Sequence, residues 1–429
     1  MSRRASSPSS SRPPNRNRQL PKPKTAMSNE TQPSLFTAPG SRSVRKGRAG
    51  LEQPTPAAVH EVFDPARLAQ ARSLLGMTKR RLADELGVTP AAVSQYEMGT
   101  NRPRPDLLPR LAEILQVPLA YFLSGRPHAR LDPSAAHFRS LRSTRSYQRA
   151  KAIAFTEQVW ELTYALEKRV RLPVVDLPGF AGGEVLSGTE LPSDPAAAAR
   201  ALRIAWNLGA GPITHLIRRL EARGIVVITP QRDEDLRSVD AFSTSRLPRP
   251  LIVLTPNRTD DVYRHRFSAA HELGHLVLHG DASPGDIAQE READVFAAEF
   301  LTPRESILSE LPARADLHKL SQLRDIWGVS VHSLVYRCRE LGLLSDSSAS
   351  RAYQRLHGLQ GQPGFAPDPL AGYPGEQPAL LSQVFALACD HGLTITELAR
   401  ELAWSVPQVR RMLGAEEDRP ALRLVGSAP

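Results

Sequence analysis

An apolar helix that carries three histidines and a glutamate constrains this chain more than any other stretch. It is the segment RFSAAHELGHLVLHG, from Arg266 to Gly280. Its apolar residues recur at helical spacing, so most of the helix is expected to be buried. Buried imidazole and carboxylate groups need partners, because an unpaired polar group in an apolar interior is costly. The helix is therefore expected to hold something.

The spacing of the histidines indicates what the helix holds. His271 and His275 are four residues apart in HELGH, so both imidazoles reach one point in space. Two neutral imidazoles and a carboxylate suit tetrahedral Zn²⁺, and Glu272 could act as a general base on water at the metal. The competing interpretation is a solvated face or a satisfied pair in the core. The rarity of histidine, 12 in 429 residues, favours the zinc site.

A third ligand is expected from the next predicted helix, AQEREADVFAAEFLTP. Glu290 and Asp294 are four residues apart on its inward face, so one carboxylate could bind the metal and the other could hydrogen-bond a ligand histidine. Glu292 points about 200° from Glu290 and is the alternative ligand. His279 lies one turn beyond His275, about 6 Å along the axis, so a supporting or loop-anchoring role is favoured over ligation.

An earlier stretch, LADELGVTPAAVSQYEMG, has the pattern of two short helices joined by a tight turn. Thr78 is the predicted cap of a helix that ends at Gly87, and Thr89 caps the next, with Pro90 at its first position. This geometry places a second helix in a DNA major groove. The competing interpretation is a helical bundle that only packs or binds a protein. The predicted core consists of Leu82, Ala83, Leu86, Val88 and Val93.

Residues 64–125 resemble the phage-repressor-like helix-turn-helix family called XRE or Cro/C1, including the SQYEMG ending and the basic NRPRP that follows. Among the residues that the resemblance places on DNA, only Gln95 is a strong hydrogen-bonding candidate for a base edge. Eight basic and six acidic residues leave residues 64–124 at +2, so one module should bind weakly unless it dimerises or the basic tail helps. The residues implied to face the groove are Thr89, Ala91, Ser94 and Gln95, and those implied to face phosphates are Lys79, Arg102 and Arg104.

Two spaced segments, RFSAAHELGHLVLHG and EREADVFAAEFLTP, resemble the ImmA/IrrE family of zinc metallopeptidases, and the VDAFS region and WGVSVHSLVYRCRELGLL also fit. The likeness covers about residues 200–345. It implies that His271, His275 and Glu290 are zinc ligands and that Glu272 is the catalytic base. The family's usual Asn is Asp294 here, a conservative departure. Members of this family typically cut a helix-turn-helix repressor, which implies a substrate of that kind.

The order of these segments predicts a multidomain protein: an all-α helix-turn-helix domain, then an α+β zincin-like metallopeptidase domain with a helical C-terminal extension. The runs IVVITP, SVDAFST and PLIVLTP predict a small antiparallel sheet before the histidine helix. The predicted segments are 1–60, a disordered basic tail; 61–126, the helix-turn-helix domain; 127–198, a helical linker or dimerisation region; 199–345, the peptidase domain; 346–380, a Gly/Pro linker; and 381–429, a small helical domain.

The net charge of +10 lies in the first fifty residues. They carry eleven basic residues and one acid, Glu30, so residues 51–429 balance at 44 basic against 44 acidic. This Ser/Pro/Arg-rich tail is expected to be disordered, although it also resembles an organelle transit peptide, and Met27 could be the true start. Two cysteines cannot build a disulfide framework and no run has the length of a membrane span, so a cytoplasmic protein is expected, at the nucleoid when bound to DNA.

The segment LTITELARELAWSVPQVRRMLG is a second helix-turn-helix candidate. Thr396 is the predicted cap of its first helix and Ser405 the cap of its second. Gln408 and Arg411 are possible DNA contacts. The favoured interpretation is a small helical packing domain.

These inferences predict a DNA-binding transcription regulator with a gluzincin-like zinc endopeptidase domain that cleaves a repressor protein. The alternative is a regulator whose peptidase-like domain is a non-catalytic sensor of a ligand or protein. Glu272 favours catalysis, because a sensor has no chemical need for the base. The expected partners are operator DNA, a protein substrate and a second copy of the chain. Self-cleavage within residues 126–146 is possible, but cleavage in trans is preferred, because a chain that destroys itself would be hard to accumulate.

Overall fold

A computed structural model of the chain describes eight stretches: residues 54–127, 131, 145–178, 180, 191–230, 241–254, 261–279 and 287–414. Most of the predicted basic tail, most of the 126–146 segment, and Val239 and Asp240 of the VDAFS region lie outside the described residues. Within the described stretches, no helix combines the length and the apolar character that a membrane span requires.

Short helices make up the N-terminal module, and their capping follows the sequence. Thr78 accepts a hydrogen bond from the Arg81 amide and Thr89 from the Ala92 amide, each at 3.2 Å. Gly87 ends a helix at a φ of 77°, a left-handed conformation that glycine adopts without strain. The predicted core residues are buried, except that Val88 is partly buried. The elements are α1 (Pro56–Glu61), α2 (Pro65–Leu74), α3 (Lys79–Leu86), α4 (Pro90–Met98), α5 (Leu108–Ile114) and a 3₁₀ turn (Leu119–Phe122).

The module begins before residue 61. Thr55 caps α1 by accepting from the Ala58 amide at 3.2 Å, and Val59 is fully buried in the core of the module. The predicted tail boundary at residue 60 is therefore wrong. It was drawn from charge and composition, which do not register a six-residue helix held by one buried valine.

Further elements follow along the chain. The largest elements are two long helices, α6 and α9, and the three strands form one mixed sheet. In chain order, the described α-helices and strands after the N-terminal module are α6 (Ser146–Glu167), α7 (Pro195–Ala205), α8 (Leu216–Ala222), β1 (Val226–Ile228), β2 (Phe242–Thr244), β3 (Leu251–Val253), α9 (Val262–Leu278), α10 (Ile287–Leu301), α11 (Arg304–Ile307), α12 (Leu317–Trp327), α13 (Val331–Glu340), α14 (Asp346–Gly358), α15 (Leu380–Asp390), α16 (Ile395–Leu402) and α17 (Val406–Leu413).

The helix α6 packs against α2 on one side and against α15 and α16 on another. Arg67 of α2 is fully buried and pairs with Glu161 of α6, while Gln70 donates to Glu157 at 3.1 Å and to Glu161 at 3.0 Å. The apolar face of α6 is thus covered by its own chain. The helix predicted between residues 127 and 198 is present as α6, and dimerisation through this region stays a prediction. Helical periodicity reveals a buried face but not what covers it.

The sheet has the order β1-β3-β2, and the three predicted strand runs each contain one strand. β2 pairs antiparallel with β3, but β1 pairs parallel with β3, so the prediction of an antiparallel sheet is only half correct. Strand runs do not reveal which strand lies in the middle, since pairing is decided by contacts that are distant in sequence. Alternate residues face two cores: Val226 and Val253 pack with the N-terminal module and α6, whereas Val227 and Ile252 pack with α9.

Residues 346–380 fold against the core that contains α9. Ala349 and Ala352 of α14 are buried in the same core as α9, and α14 packs on α13. Glu376, also buried, accepts hydrogen bonds from the first two backbone amides of α8 at 3.0 and 3.2 Å. The prediction of a Gly/Pro linker is therefore wrong. Its composition suggested a flexible segment, but buried alanines and one long-range carboxylate hold it in place.

The C-terminal helices pack on α6 and do not form a separate core. Thr394, and not the predicted Thr396, caps α16 through a capping box with Glu397, and Ser405 caps α17 as predicted. Gln408 is half-buried and lines a groove with residues of α2 and α6. This placement favours packing over DNA contact for the α16–α17 pair.

Candidate metal centre and nucleic-acid interface

The helices α9 and α10 approach each other closely at the glycine of HELGH. A Cβ atom on Gly274 would lie 3.0 Å from Phe296 Cδ1 and 3.3 Å from Ala293 Cα. Glycine therefore allows the contact that brings α10 against the histidine face of α9. As a result, the acidic first half of α10 lies beside His271 and His275.

Three predicted ligands meet at one point. His271 Nε2 and His275 Nε2 are 3.1 Å apart, His275 Nε2 is 3.1 Å from Glu290 Oε1, and His271 Nε2 is 3.5 Å from Glu290 Oε2. Ligands about 2.0–2.1 Å from a tetrahedral zinc ion lie roughly 3.3–3.4 Å from one another. The donor types and spacing fit zinc, and no other such group occurs among the residues that the structure describes.

Each of the two ligand histidines is oriented by a contact at its Nδ1 atom, on the side of the ring away from the donor triangle. His271 Nδ1 lies 2.9 Å from Asp294 Oδ1, and His275 Nδ1 lies 3.0 Å from His279 Nδ1. His279 Nε2 in turn lies 2.8 Å from Glu292 Oε2. Such contacts orient both Nε2 atoms toward the centre. Asp294 and His279 thus occupy the supporting places that the sequence predicts, whereas Glu292, the alternative ligand, contacts His279 and is not in the trio.

The predicted base is fixed by a serine on the sheet. Ser243 Oγ donates to Glu272 Oε2 at 2.7 Å, and both residues are buried. The sequence analysis did not identify Ser243. The contact depends on strand register, because Ser243 pairs with Ile252 and Ile252 belongs to the core that contains α9, so the sequence alone carries no signal for it.

The charges of the trio favour a cation. Burial lowers the pKa of His271, but hydrogen bonds with Asp294 and Glu290 outweigh burial and raise that pKa to about 10. Burial lowers the pKa of His275 to about 4. Burial also disfavours a charged Glu290, yet its contacts with both histidines hold the pKa of this carboxyl well below its ordinary value. The centre therefore has a place for positive charge between carboxylates, which is what a metal ion provides.

The predicted groove-facing residues lie on α4 and at its N-cap, Thr89. Thr89, Ala91 and Gln95 are exposed. Ser94 is half-buried and accepts a hydrogen bond from Lys79 Nζ at 3.3 Å, so both side chains are held on the module. Among the three exposed residues, Gln95 has the longest hydrogen-bonding side chain.

The two predicted phosphate contacts that follow α4 differ. Arg102 donates to the carbonyl oxygens of His60 at 3.2 Å and Glu61 at 2.7 Å, which ties the loop to α1. Arg104 is exposed and pairs with Asp106 at 3.2 Å, a contact that solvent screens. Arg104 is therefore the more available of the two for a phosphate.

Comparison with protein-family models identifies two regions. Residues 68–122 match the model described as helix-turn-helix, and residues 220–339 match that of the IrrE N-terminal-like domain, a peptidase family. The chain carries a helix-turn-helix domain and an IrrE-like domain. The predicted order, a helical N-terminal region followed by a domain with a small sheet and helices and by a helical C-terminus, is confirmed.

Two curated relatives resemble part of the chain. Both are named uncharacterized HTH-type transcriptional regulators, one from Sinorhizobium medicae (strain WSM419) and one from Rhizobium meliloti (strain 1021). Each is 33% identical over 76 residues, which is 18% of this chain and 52% of the relative. The chain thus spans about half the length of the curated relatives it matches.

The helix-turn-helix domain also presents a residue that the sequence analysis missed. Met98 is 66% exposed at the end of α4. It lies three residues after Gln95, on the same side of the helix. The three-residue spacing from Gln95 is visible in the sequence and would have placed Met98 on this side of α4. The IrrE-like domain includes all three members of the metal trio within its matched range.

Proposed function

We propose that this protein is a DNA-binding transcription regulator whose IrrE-like domain is a zinc-dependent endopeptidase that cleaves a helix-turn-helix repressor. The observation that carries the enzymatic part is the triangle of donor atoms from His271, His275 and Glu290. A base, Glu272, follows the first ligand directly. Metal ligands, supporting groups and a held carboxylate occur together, as a metallopeptidase requires.

The residues divide the work of peptide hydrolysis. Zinc, when held by the trio, would polarise a peptide carbonyl and lower the pKa of water. Glu272 would take the proton from the attacking water and pass it to the leaving amine. Ser243 holds the Glu272 carboxylate in place through its hydrogen bond to Oε2. Asp294 and His279 keep the imidazoles oriented.

A non-catalytic sensor is the second candidate function. It would use the same fold and the same metal, but it would need neither a general base nor a serine that orients the base. The buried contact between Glu272 and Ser243 therefore favours catalysis. We place the substrate in trans, with the helix-turn-helix domain bringing the peptidase to its promoter.

Zinc analysis and cleavage assays on the full chain test this function. Wild type and Glu272→Gln should both hold stoichiometric zinc, whereas His271→Ala should lose it, because only the histidine is a ligand. Only wild type should cleave candidate repressors, as followed on gels and by mass spectrometry of both proteins. Zinc-loaded wild type that cleaves no repressor, itself included, would support the sensor. Equal cleavage by Glu272→Gln would overturn the role of the base.

DNA binding is tested separately, with duplexes selected by the full chain from a random pool. Gln95→Ala should relax the base preference, whereas Arg104→Ala should weaken all sequences alike. We also expect a dimer on DNA, because a module with a net charge of +2 gains little from phosphates alone. A folded chain that selects no duplex at low salt would instead make the module a protein-interaction domain.

A further inference from the structure

A cavity of about 650 Å³ adjoins the metal centre. Its walls come from α9, α10 and α13, and from residues between 356 and 367. Asp294 is one of the lining residues, and its carboxylate also holds His271 at 2.9 Å. The cavity therefore borders the centre on the side where Asp294 supports His271. Its volume is within the range of about 300–1,000 Å³ that is typical of ligand sites.

The floor of the cavity is apolar. Ala298 and Leu301 of α10 and Val331 and Leu334 of α13 line it and are buried. Phe267 lines it from α9 and is half-buried, one turn before His271. An apolar side chain placed there would itself be removed from water, which favours binding.

Most charges that line the cavity are already engaged. Asp261 caps α9 by accepting from the Tyr263 amide at 3.1 Å. Arg324 donates to Asp325 at 3.1 Å and to Asp368 at 2.7 Å. Arg264 differs from Arg324, because its side chain is exposed and no carboxylate within the described ranges lies at ion-pair distance from it.

Arg264 lies on the same face of α9 as the metal ligands. Ser268 and His271 follow it by four and seven residues, so the three form one stripe along the helix. Seven residues of helix span about 10 Å. An extended peptide covers that distance with about three residues, at roughly 3.3 Å each.

We propose that this cavity binds the substrate chain beside the cleaved bond. It would hold an apolar side chain, while Arg264 pairs with an acidic residue about three positions from the cleaved bond. The inference rests on the proposed peptidase function. Binding precedes cleavage, however, and is measurable without it.

Binding is measured with zinc-loaded full-length protein carrying Glu272→Gln, which holds substrate without cutting it. The probes are fluorescein-labelled peptides with a central leucine in a Gly/Ser background. Each peptide carries one aspartate, placed at a different position before or after the leucine. Anisotropy should show the tightest binding with aspartate about three positions from the centre. Adding Arg264→Glu should weaken that peptide about fivefold and favour its lysine counterpart. Arg314→Glu, on an exposed arginine outside the cavity, is the control of equal charge.

The apolar floor has its own variant, Ala298→Leu. It adds three carbon atoms to the floor, so the preference for central leucine over central alanine should fall. A thermal unfolding scan and zinc content show whether the variant is folded. Unchanged aspartate preference in Arg264→Glu, or an equal change in Arg314→Glu, would overturn the proposal.

The outcomes separate the two proposals. If an Arg264-dependent preference is found but wild type cleaves nothing, peptide binding in the cavity is supported and the endopeptidase function is not. If wild type cleaves peptides without any Arg264-dependent preference, the endopeptidase stands and this use of the cavity is wrong.

Discussion

Removing the groups behind the ligand histidines should weaken zinc binding by unequal amounts. Asp294→Ala removes the carboxylate that lies 2.9 Å from His271 Nδ1. His279→Ala removes the imidazole that lies 3.0 Å from His275 Nδ1. Neither residue is in the trio of donor atoms, so stoichiometric zinc should remain in both variants at saturating metal.

The exposure of each group sets the size of its effect. Loss of such a partner typically lowers metal affinity by about 10- to 100-fold. The Asp294 side chain is 44% exposed, so solvent screens its charge and can replace its hydrogen bond, and we expect about tenfold, or about 1.4 kcal/mol. The His279 side chain is only 5% exposed, so its loss leaves a buried ring nitrogen without that partner, and we expect about 100-fold.

Competition with a chromophoric chelator measures both affinities on the full chain. Glu305→Gln, on an exposed acid of α11, is the control for a lost negative charge and should change the affinity little. Glu292→Gln should give an intermediate loss, because Glu292 acts through His279. Asp294→Ala binding zinc as tightly as Glu305→Gln would refute the supporting role. A larger loss in Asp294→Ala than in His279→Ala would refute the argument from exposure.

Three further changes test the fold around the centre. Glu376→Gln should lower the free energy of unfolding by about 3 kcal/mol in chemical denaturation, because it leaves the buried Arg266 without its charged partner. Glu85→Gln, in an exposed pair, should cost about 0.5 kcal/mol or less. Similar losses in the two variants would contradict the importance of the buried pair. Gly274→Ala should lower stability by about 1–3 kcal/mol and reduce zinc affinity as α10 is displaced, while Gly358→Ala, which meets open space, should do neither. Met98→Glu should reduce DNA affinity in a mobility-shift assay without a change in thermal unfolding, and unaltered affinity would remove Met98 from the interface.

The features that the sequence predicts well are local. The four-residue spacing of His271 and His275 is itself the geometry of a helix face, so two donor atoms are placed by the helix alone. The caps Thr78 and Thr89 act on backbone amides only three residues away. Short-range rules of this kind need no knowledge of the rest of the fold.

The features that it predicts poorly depend on contacts distant along the chain. Glu376 stabilises α8 and pairs with Arg266, although it lies 110 positions after that arginine in a segment rich in glycine and proline. Ser243 reaches Glu272 only because β2 and β3 pair in one register. Composition gives no sign of either contact. The mistaken linker between residues 346 and 380 therefore has a physical cause: a flexible composition does not prevent a segment from being held by a few buried side chains.

The sheet gives the two halves of the molecule a common element. Ile252 packs with α9, which carries the ligand histidines, while its neighbours Leu251 and Val253 pack with the core that the helix-turn-helix domain shares with α6. Ser243, the register partner of Ile252, holds Glu272. Because successive side chains of a strand face opposite sides, a displacement of β3 moves groups in both cores at once. A change at Glu272 that shifts Ser243 therefore acts on the β2–β3 pair, which the helix-turn-helix core also contacts.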